Sequence, residues 1–230
     1  MKKIDISATR RRFLRGALSV APAAALAVAA GPVIKGQAQG TAAGPPVFFS
    51  ADEFALLEAL ADTLIPADDT GPSASQAGVA QFIDAQMNTP YGKGQLWYMQ
   101  GPFDPAAVAV FGYQLPYPPD QLYRKSLAGL AAAVQQQYGK RFPMLEEQQR
   151  IEVVSRLEKG DLPMGEIPSG IFFTQLLQNV REGYFCDPSD GGNRDMLSWK
   201  MIGFPGARAD YFDWVEQYGK TYPLPPVSRG

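Results

Sequence analysis

An all-α fold is what this 230-residue sequence predicts, and three observations lead there. Apolar residues recur at helical spacing in several separate stretches. No stretch sustains the period-two alternation of a half-buried strand. Residues suited to starting and stopping helices stand at the ends of the apolar runs. The expectation is an irregular helical domain of about six to seven helices with long Pro- and aromatic-rich loops. A hydrophobic content of 46% and an aromatic content of 11% are those of a globular chain, with enough length for one sizeable core.

The first helix begins at Ser50. Glu53 stands three residues on, completing a capping box, and Phe49 and Phe54 occupy the two positions of a hydrophobic staple. Phe54, Leu57, Leu60, Ala61 and Leu64 form its stripe, and Pro66 ends it. Residues 79–87 predict a shorter helix with Val79, Phe82, Ile83 and Met87 on one face. Asp120 is placed to cap a third, whose stripe is Tyr123, Leu127, Leu130, Val134 and Tyr138, with Gly139 where a left-handed residue closes a helix. The fourth runs over residues 145–159 and stops at Gly160, with Glu146/Arg150 and Glu152/Arg156 as i,i+4 pairs on its wet side. A fifth starts near Ser169 and carries Phe172, Phe173, Leu176, Leu177, Val180 and Tyr184. Short helices over 196–202 and 209–218 complete the set.

Two stretches do not read as helix. Residues 88–119 are rich in proline and in aromatics, among them Tyr91, Trp97, Tyr98, Phe103, Phe111, Tyr113 and Tyr117. A loop of that length either folds over its own core or meets a partner, and aromatics are enriched at the centres of interfaces. The tail, Tyr222-Pro223-Leu224-Pro225-Pro226, favours an extended polyproline conformation, lying along a partner or fraying.

The N-terminus reads as an export signal. Residues 9–16, Thr9-Arg10-Arg11-Arg12-Phe13-Leu14-Arg15-Gly16, resemble a twin-arginine signal, with Arg10, Arg11, Phe13 and Leu14 in the diagnostic positions. The apolar stretch 17–30 is alanine-rich and interrupted by Pro22. As a helix it spans roughly two-thirds of a ~30 Å hydrocarbon core, which argues against a membrane anchor. Cleavage is expected near Gly36-Gln37-Ala38. The expected organisation is therefore a cleaved signal over 1–38, a linker over 39–47, a helical domain over 48–219 and an extended tail over 220–230. The chain has 21 basic and 23 acidic residues, of which residues 1–38 hold seven basic ones and Asp5, leaving 14 basic against 22 acidic, a formal net of −8. Such a domain repels phosphate backbones and anionic lipid heads.

Composition excludes much catalytic chemistry. The chain has no histidine and one cysteine, Cys186. No Ser-His-Asp nucleophile, imidazole zinc site or axial histidine for haem is available. One thiol cannot hold an iron–sulfur cluster or form the paired-cysteine haem attachment. Gly92 and Gly94 lack the third glycine and preceding strand of a dinucleotide fingerprint, and no P-loop motif is present. No catalytic, cofactor-binding or metal-ligating residue is therefore assigned. The carboxylates of 187–195 fail the EF-hand spacing, with Ser198 where a closing Glu is needed, and read as a tight turn in which Asn193 or Asp195 caps the following helix. Asp68 and Asp69 read as a solvated turn, and Cys186 as a buried small residue. A folded-export signal on a chain without cofactor ligands suggests that a partner carries the cofactor. The competing readings are a standalone enzyme using carboxylates such as Asp190 or Asp195, and a free-standing periplasmic binding protein.

Three blocks resemble the gluconate 2-dehydrogenase subunit 3 family. They are residues 48–84, with Asp62-Thr63-Leu64-Ile65-Pro66-Ala67-Asp68, residues 97–103 with 111–116, and residues 183–207, with Asp187-Pro188, Gly191-Gly192-Asn193-Arg194-Asp195, Trp199-Lys200 and Gly203-Phe204-Pro205-Gly206. Cys186 stands where alanine is as often expected. The resemblance implies the small subunit of a periplasmic complex. Its large subunit is an FAD-dependent flavoprotein of the glucose–methanol–choline group. A multihaem cytochrome c subunit holds the complex at the inner membrane and passes electrons to ubiquinone. The small subunit then supplies the export signal and supports maturation of the large one. Gluconate is the expected substrate, with glucose, fructose or sorbitol oxidised by related complexes. Trp97, Tyr98, Phe103, Phe111, Tyr113, Asp187, Asn193, Arg194, Asp195 and Trp199 are the expected partner-facing residues.

Overall fold

The computed structural model describes residues 44–104 and 107–230. The twin-arginine residues and the expected cleavage site lie outside them. Six α-helices occur among the described residues, with short 3-10 turns between them and no strand. The helices are α1 (Ala51–Leu64), α2 (Val79–Gln86), α3 (Pro119–Tyr138), α4 (Glu147–Lys159), α5 (Ser169–Phe185) and α6 (Leu197–Ile202). The all-α expectation is met. None of the described helices is long and apolar enough to cross a membrane.

Local chemistry sets most of the boundaries. Ser50 accepts from the Glu53 N–H while the Glu53 carboxylate accepts from the Ser50 N–H, the reciprocal cap expected from sequence. α3 starts two residues earlier than Asp120 implied. Its N-cap is Pro118 and Pro119 is the first helical residue, where proline's missing N–H costs nothing. Asp120 sits in the first turn and pairs with Lys93 at 2.9 Å. Gly139 and Gly160 close α3 and α4 at φ 63° and 74°, a conformation glycine enters without steric cost. The two i,i+4 pairs expected on α4 are replaced: Glu146 caps the helix with Gln149, and Arg156 reaches Asp161 and Gln137.

α1 and α5 are the central helices. α1 packs on α2, α3 and α4, and α5 packs on α2, α3, α4 and α6. The core between them holds Leu57, Leu60, Ile83, Tyr123, Leu130, Phe142, Phe172 and Leu176, all with almost no exposure. Tyr123 lies edge-on to Phe172 at 5.7 Å and tilted against Phe49 at 5.9 Å.

Residues 44–208 with 224–230 form one unit, and 209–223 form another. The helix expected over 209–218 is absent. That stretch has a single 3-10 turn, Phe212–Trp214, with Tyr222 stacked edge-on to Trp214 at 5.1 Å. A segment of this length, with Phe212, Val215 and Tyr218 exposed, lacks the buried face that makes short helices stable.

Before α1 the chain is fastened by one carboxylate. The N–H groups of Val47, Phe48 and Phe49 all donate to Asp84 of α2, at 2.6, 3.0 and 2.8 Å, and Asp84 is buried. Arg124 and Lys93 lie over the Phe48 ring, at 4.2 and 5.3 Å from its centroid. Replacing the carboxylate by a methyl group leaves three N–H groups without an acceptor. Asp84→Ala is therefore expected to lower unfolding stability by about 3 kcal/mol, read as a lower urea midpoint with an unchanged slope.

Candidate functional site

The aromatic segment leaves the body and returns to it at one place. Gly92 lies so close to Met87 that a Cβ would meet Met87 backbone at 2.4 Å, and a Cβ on Gly94 would come within 2.9 Å of Pro118. The Asp120 N–H donates to the Gly92 carbonyl at 3.0 Å, and the Lys93–Asp120 pair closes the same neck. The two glycines without a nucleotide fingerprint thus serve a close crossing of backbones.

Above the neck, Tyr91, Trp97 and Tyr113 form a ladder of edge-on rings with centroids 5.9 and 5.0 Å apart. Its lower end is tied to α5. The Tyr91 hydroxyl accepts from Gln175 Nε2 at 2.7 Å and from Asn179 Nδ2 at 2.8 Å. Asn179 Oδ1 in turn accepts from the Tyr123 hydroxyl and from Gln175, and Asn179 Nδ2 also reaches Glu182. Burial pushes the Tyr91 phenol up despite its hydrogen bonds from Asn179 and Gln175, so it stays neutral. Its upper end is held by Tyr113, whose hydroxyl donates to the Tyr117 carbonyl at 2.6 Å, and by Tyr117, which donates to Glu166 at 2.7 Å.

Five of the expected partner-facing residues come together here. Trp97, Tyr98, Phe103, Phe111 and Tyr113 line a cleft of about 420 Å³ with Gln100, Pro102 and Gln114. Its floor and rim differ. Trp97 and Tyr113 are half-buried, whereas Tyr98 is 82% and Phe111 70% exposed, alongside exposed Leu96, Val108 and Val110. Across residues 95–119 the one charged side chain is Asp104. The segment therefore does both things open to it: its lower half covers the core, and its upper half shows an uncharged aromatic face.

The other five lie apart from this cleft, in and beside the loops before α6. Asp187 is buried and accepts from the Ser189 N–H and hydroxyl, the Ser228 hydroxyl and the Arg229 N–H. Asn193, also fully buried, holds Ser198 through both its N–H and its hydroxyl and so caps α6 from outside the helix. Its Nδ2 donates to the Cys186 carbonyl at 2.9 Å. The Trp199 indole donates to Phe185 O at 2.9 Å, and the Arg194 N–H donates to Ala77 O. These side chains or backbones bind the 183–208 block to itself, to α5 and to the turn before α2, and Asp195 alone of the five is exposed. Asn193, Asp195 and Met196 have φ of 42°, 55° and 54°, unusual for non-glycine residues and costing roughly 1–3 kcal/mol each. A Cβ at Gly192 would lie 2.2 Å from the Gly183 carbonyl and one at Gly183 2.7 Å from the Phe82 ring, so this block needs glycine where a backbone and an aromatic ring come close.

The tail belongs to the same block. Val227 O accepts from Ala207 N at 2.7 Å, Val227 N donates to Pro205 O, and Arg229 pairs with Asp190. A Cβ on Gly206 would lie 2.2 Å from Val227 O, so the last glycine of Gly203-Phe204-Pro205-Gly206 makes room for the C-terminal strand of chain.

Cys186 is half-buried, its thiol pushed up to about 11 by burial, which leaves it protonated and unreactive at neutral pH. Asp68 accepts from the Thr70 and Gly71 N–H groups, the solvated turn expected. Among the described residues no group of three or more acidic or thiol side chains converges on a metal position. Sequence reasoning missed Asp84, Gln175 and Asn179. Their signal was a polar side chain in phase with a buried stripe: Gln175 and Asn179 lie among Phe172, Leu176 and Val180 on α5.

Burial acts to raise the Asp187 carboxyl, but the Ser228 hydroxyl, the Arg229 N–H and the Ser189 groups outweigh it and hold it well below the usual range. A carboxyl lowered on folding stabilises above its unfolded value of about 3.9 and loses that contribution as pH falls. The tail is therefore expected to stay closed at neutral pH and to loosen in acid, followed by the Arg229 amide shift in an NMR titration. Asp187→Asn should flatten that titration and expose residues 224–230 to carboxypeptidase at neutral pH.

No match was found among curated proteins or among solved structures. The family described as Gluconate 2-dehydrogenase subunit 3 matches residues 51–206, a span that runs from the first residue of α1 to the glycine on which the tail docks. The chain belongs to the gluconate 2-dehydrogenase subunit 3 family, a subunit family of that dehydrogenase complex.

Proposed function

We propose that this chain is the non-catalytic small subunit of a periplasmic dehydrogenase complex that oxidises D-gluconate to 2-dehydrogluconate. The observation that carries the proposal is the family match over 51–206. A chain with no histidine, and with one cysteine whose thiol is held protonated, has little with which to bind or drive a redox centre. FAD then resides in a larger flavoprotein subunit and haem c in a cytochrome subunit that holds the complex at the inner membrane. The Arg10-Arg11 leader exports this chain and the flavoprotein folded on it, and the body of six helices supports maturation of that partner.

The reading is tested with an affinity-tagged full-length chain. Purification is expected to bring down a larger subunit whose flavin absorption bleaches on adding gluconate, while the separated small subunit is colourless and inactive. Replacing Arg10 and Arg11 together by lysine is expected to keep both proteins in the cytoplasm. Bleaching by glucose, fructose or sorbitol instead would change the substrate and keep the role. Dye-reducing activity in the separated small subunit would refute the role.

A further inference from the structure

We infer that the cleft between Trp97 and Phe111 is an anchor pocket for an uncharged, extended segment of another subunit of the dehydrogenase complex, which seats one large apolar side chain there. The inference rests on the subunit reading above and adds the place and the chemistry of one contact.

Charge points to the kind of partner. Charged residues make up 19% of the chain, but residues 95–119 carry Asp104 alone, and none of the side chains lining the cleft is ionised. A charged segment laid here would lose water and find no counter-charge, which costs several kcal/mol per ion. An apolar side chain loses only unfavourable hydration. A lipid surface fits less well. The segment has no lysine or arginine to meet headgroups, and the site is a concavity with amides in its wall, not a convex apolar tip. Gln114 Nε2 donates one of its two hydrogens to the Phe111 carbonyl at 3.0 Å, which leaves the amide oxygen and a second N–H to meet the backbone of a guest. Amide groups beside aromatic rings are the means by which grooves hold extended peptides.

The floor is also preorganised. Trp97 is wedged between Tyr91 and Tyr113, and Tyr91 is fixed to α5 by two hydrogen bonds. An anchor entering the cleft need not order that floor, so less entropy is lost on binding. Only rim residues such as Tyr98 and Phe111 remain to close around the guest, the arrangement in which a few central contacts dominate an interface.

The test uses the tagged full chain in the native complex, with the photo-crosslinker p-benzoylphenylalanine at Tyr98 and, as control, at exposed Glu158 on α4. The expected result is that Tyr98 links to one peptide of another subunit with no charged residue next to the attachment point, and that Glu158 does not link to that peptide. Phe111→Ala, at a side chain outside the core, is expected to weaken assembly by about 30-fold while leaving the thermal unfolding of the isolated chain unchanged. Links from Tyr98 to lipid, to a second copy of this chain or to a charged segment would overturn the inference, as would an intact complex giving no link. If no other subunit co-purifies with the tagged chain, the subunit reading itself fails, an outcome separate from these.

Discussion

Asn179 makes every hydrogen bond its amide permits, and the placement of the aromatic segment depends on it. Its oxygen accepts from Tyr123 and Gln175, and its nitrogen donates to Tyr91 and Glu182. The residue is fully buried on the inner face of α5. One side chain thus couples the helix at the centre of the body, the core of α3 and the base of the segment. A half-satisfied amide in this position would cost more than an apolar residue, whereas a complete one specifies a single arrangement. The cleft inherits that order through Tyr91 and Trp97.

Two carboxylates fasten the chain on either side of this centre. Asp84 gathers three successive N–H groups ahead of α1, and Asp187 gathers the tail and its own loop. In each case carboxyl oxygens replace the hydrogen bonds that irregular backbone would otherwise draw from water. The 183–208 block is accordingly a structural knot. Its glycines give room for close contacts, its strained residues turn the chain tightly, and Asp187, Asn193 and Ser198 spend their polar groups inside.

The parts of this fold that were legible in sequence were those governed by local chemistry. The Ser50–Glu53 box, the stop at Pro66 and the glycine caps at 139 and 160 depend on residues within a few positions of one another, and they lie where the spacing put them. The stretch 209–218 misled because its aromatics sit at a period compatible with helix, yet Phe212 and Tyr218 are exposed and Tyr211 and Trp214 stack on Tyr222 instead of forming a helix face. Asp120 misled because two prolines ahead of it already supply the helix start. In the candidate site, the aromatics of 97–113 could be singled out by composition, although their convergence on one cleft depends on crossings at Gly92 and Gly94 that only the folded chain displays. The distinctive 187–199 residues drew attention as a possible surface. Some of their inward pairings are near in sequence, such as Asn193 with Ser198 and Cys186, and others are distant, such as Asp187 with Ser228 and Arg229, which no local pattern encodes.

The division between an internal knot and an outward cleft can be measured directly by deuterium uptake in the isolated chain and in the assembled complex. Residues 96–114 are expected to gain protection on assembly, while the amides of 186–199, many already hydrogen-bonded inside the fold, change little. Unchanged uptake over 96–114, with new protection confined to 186–199, would contradict it.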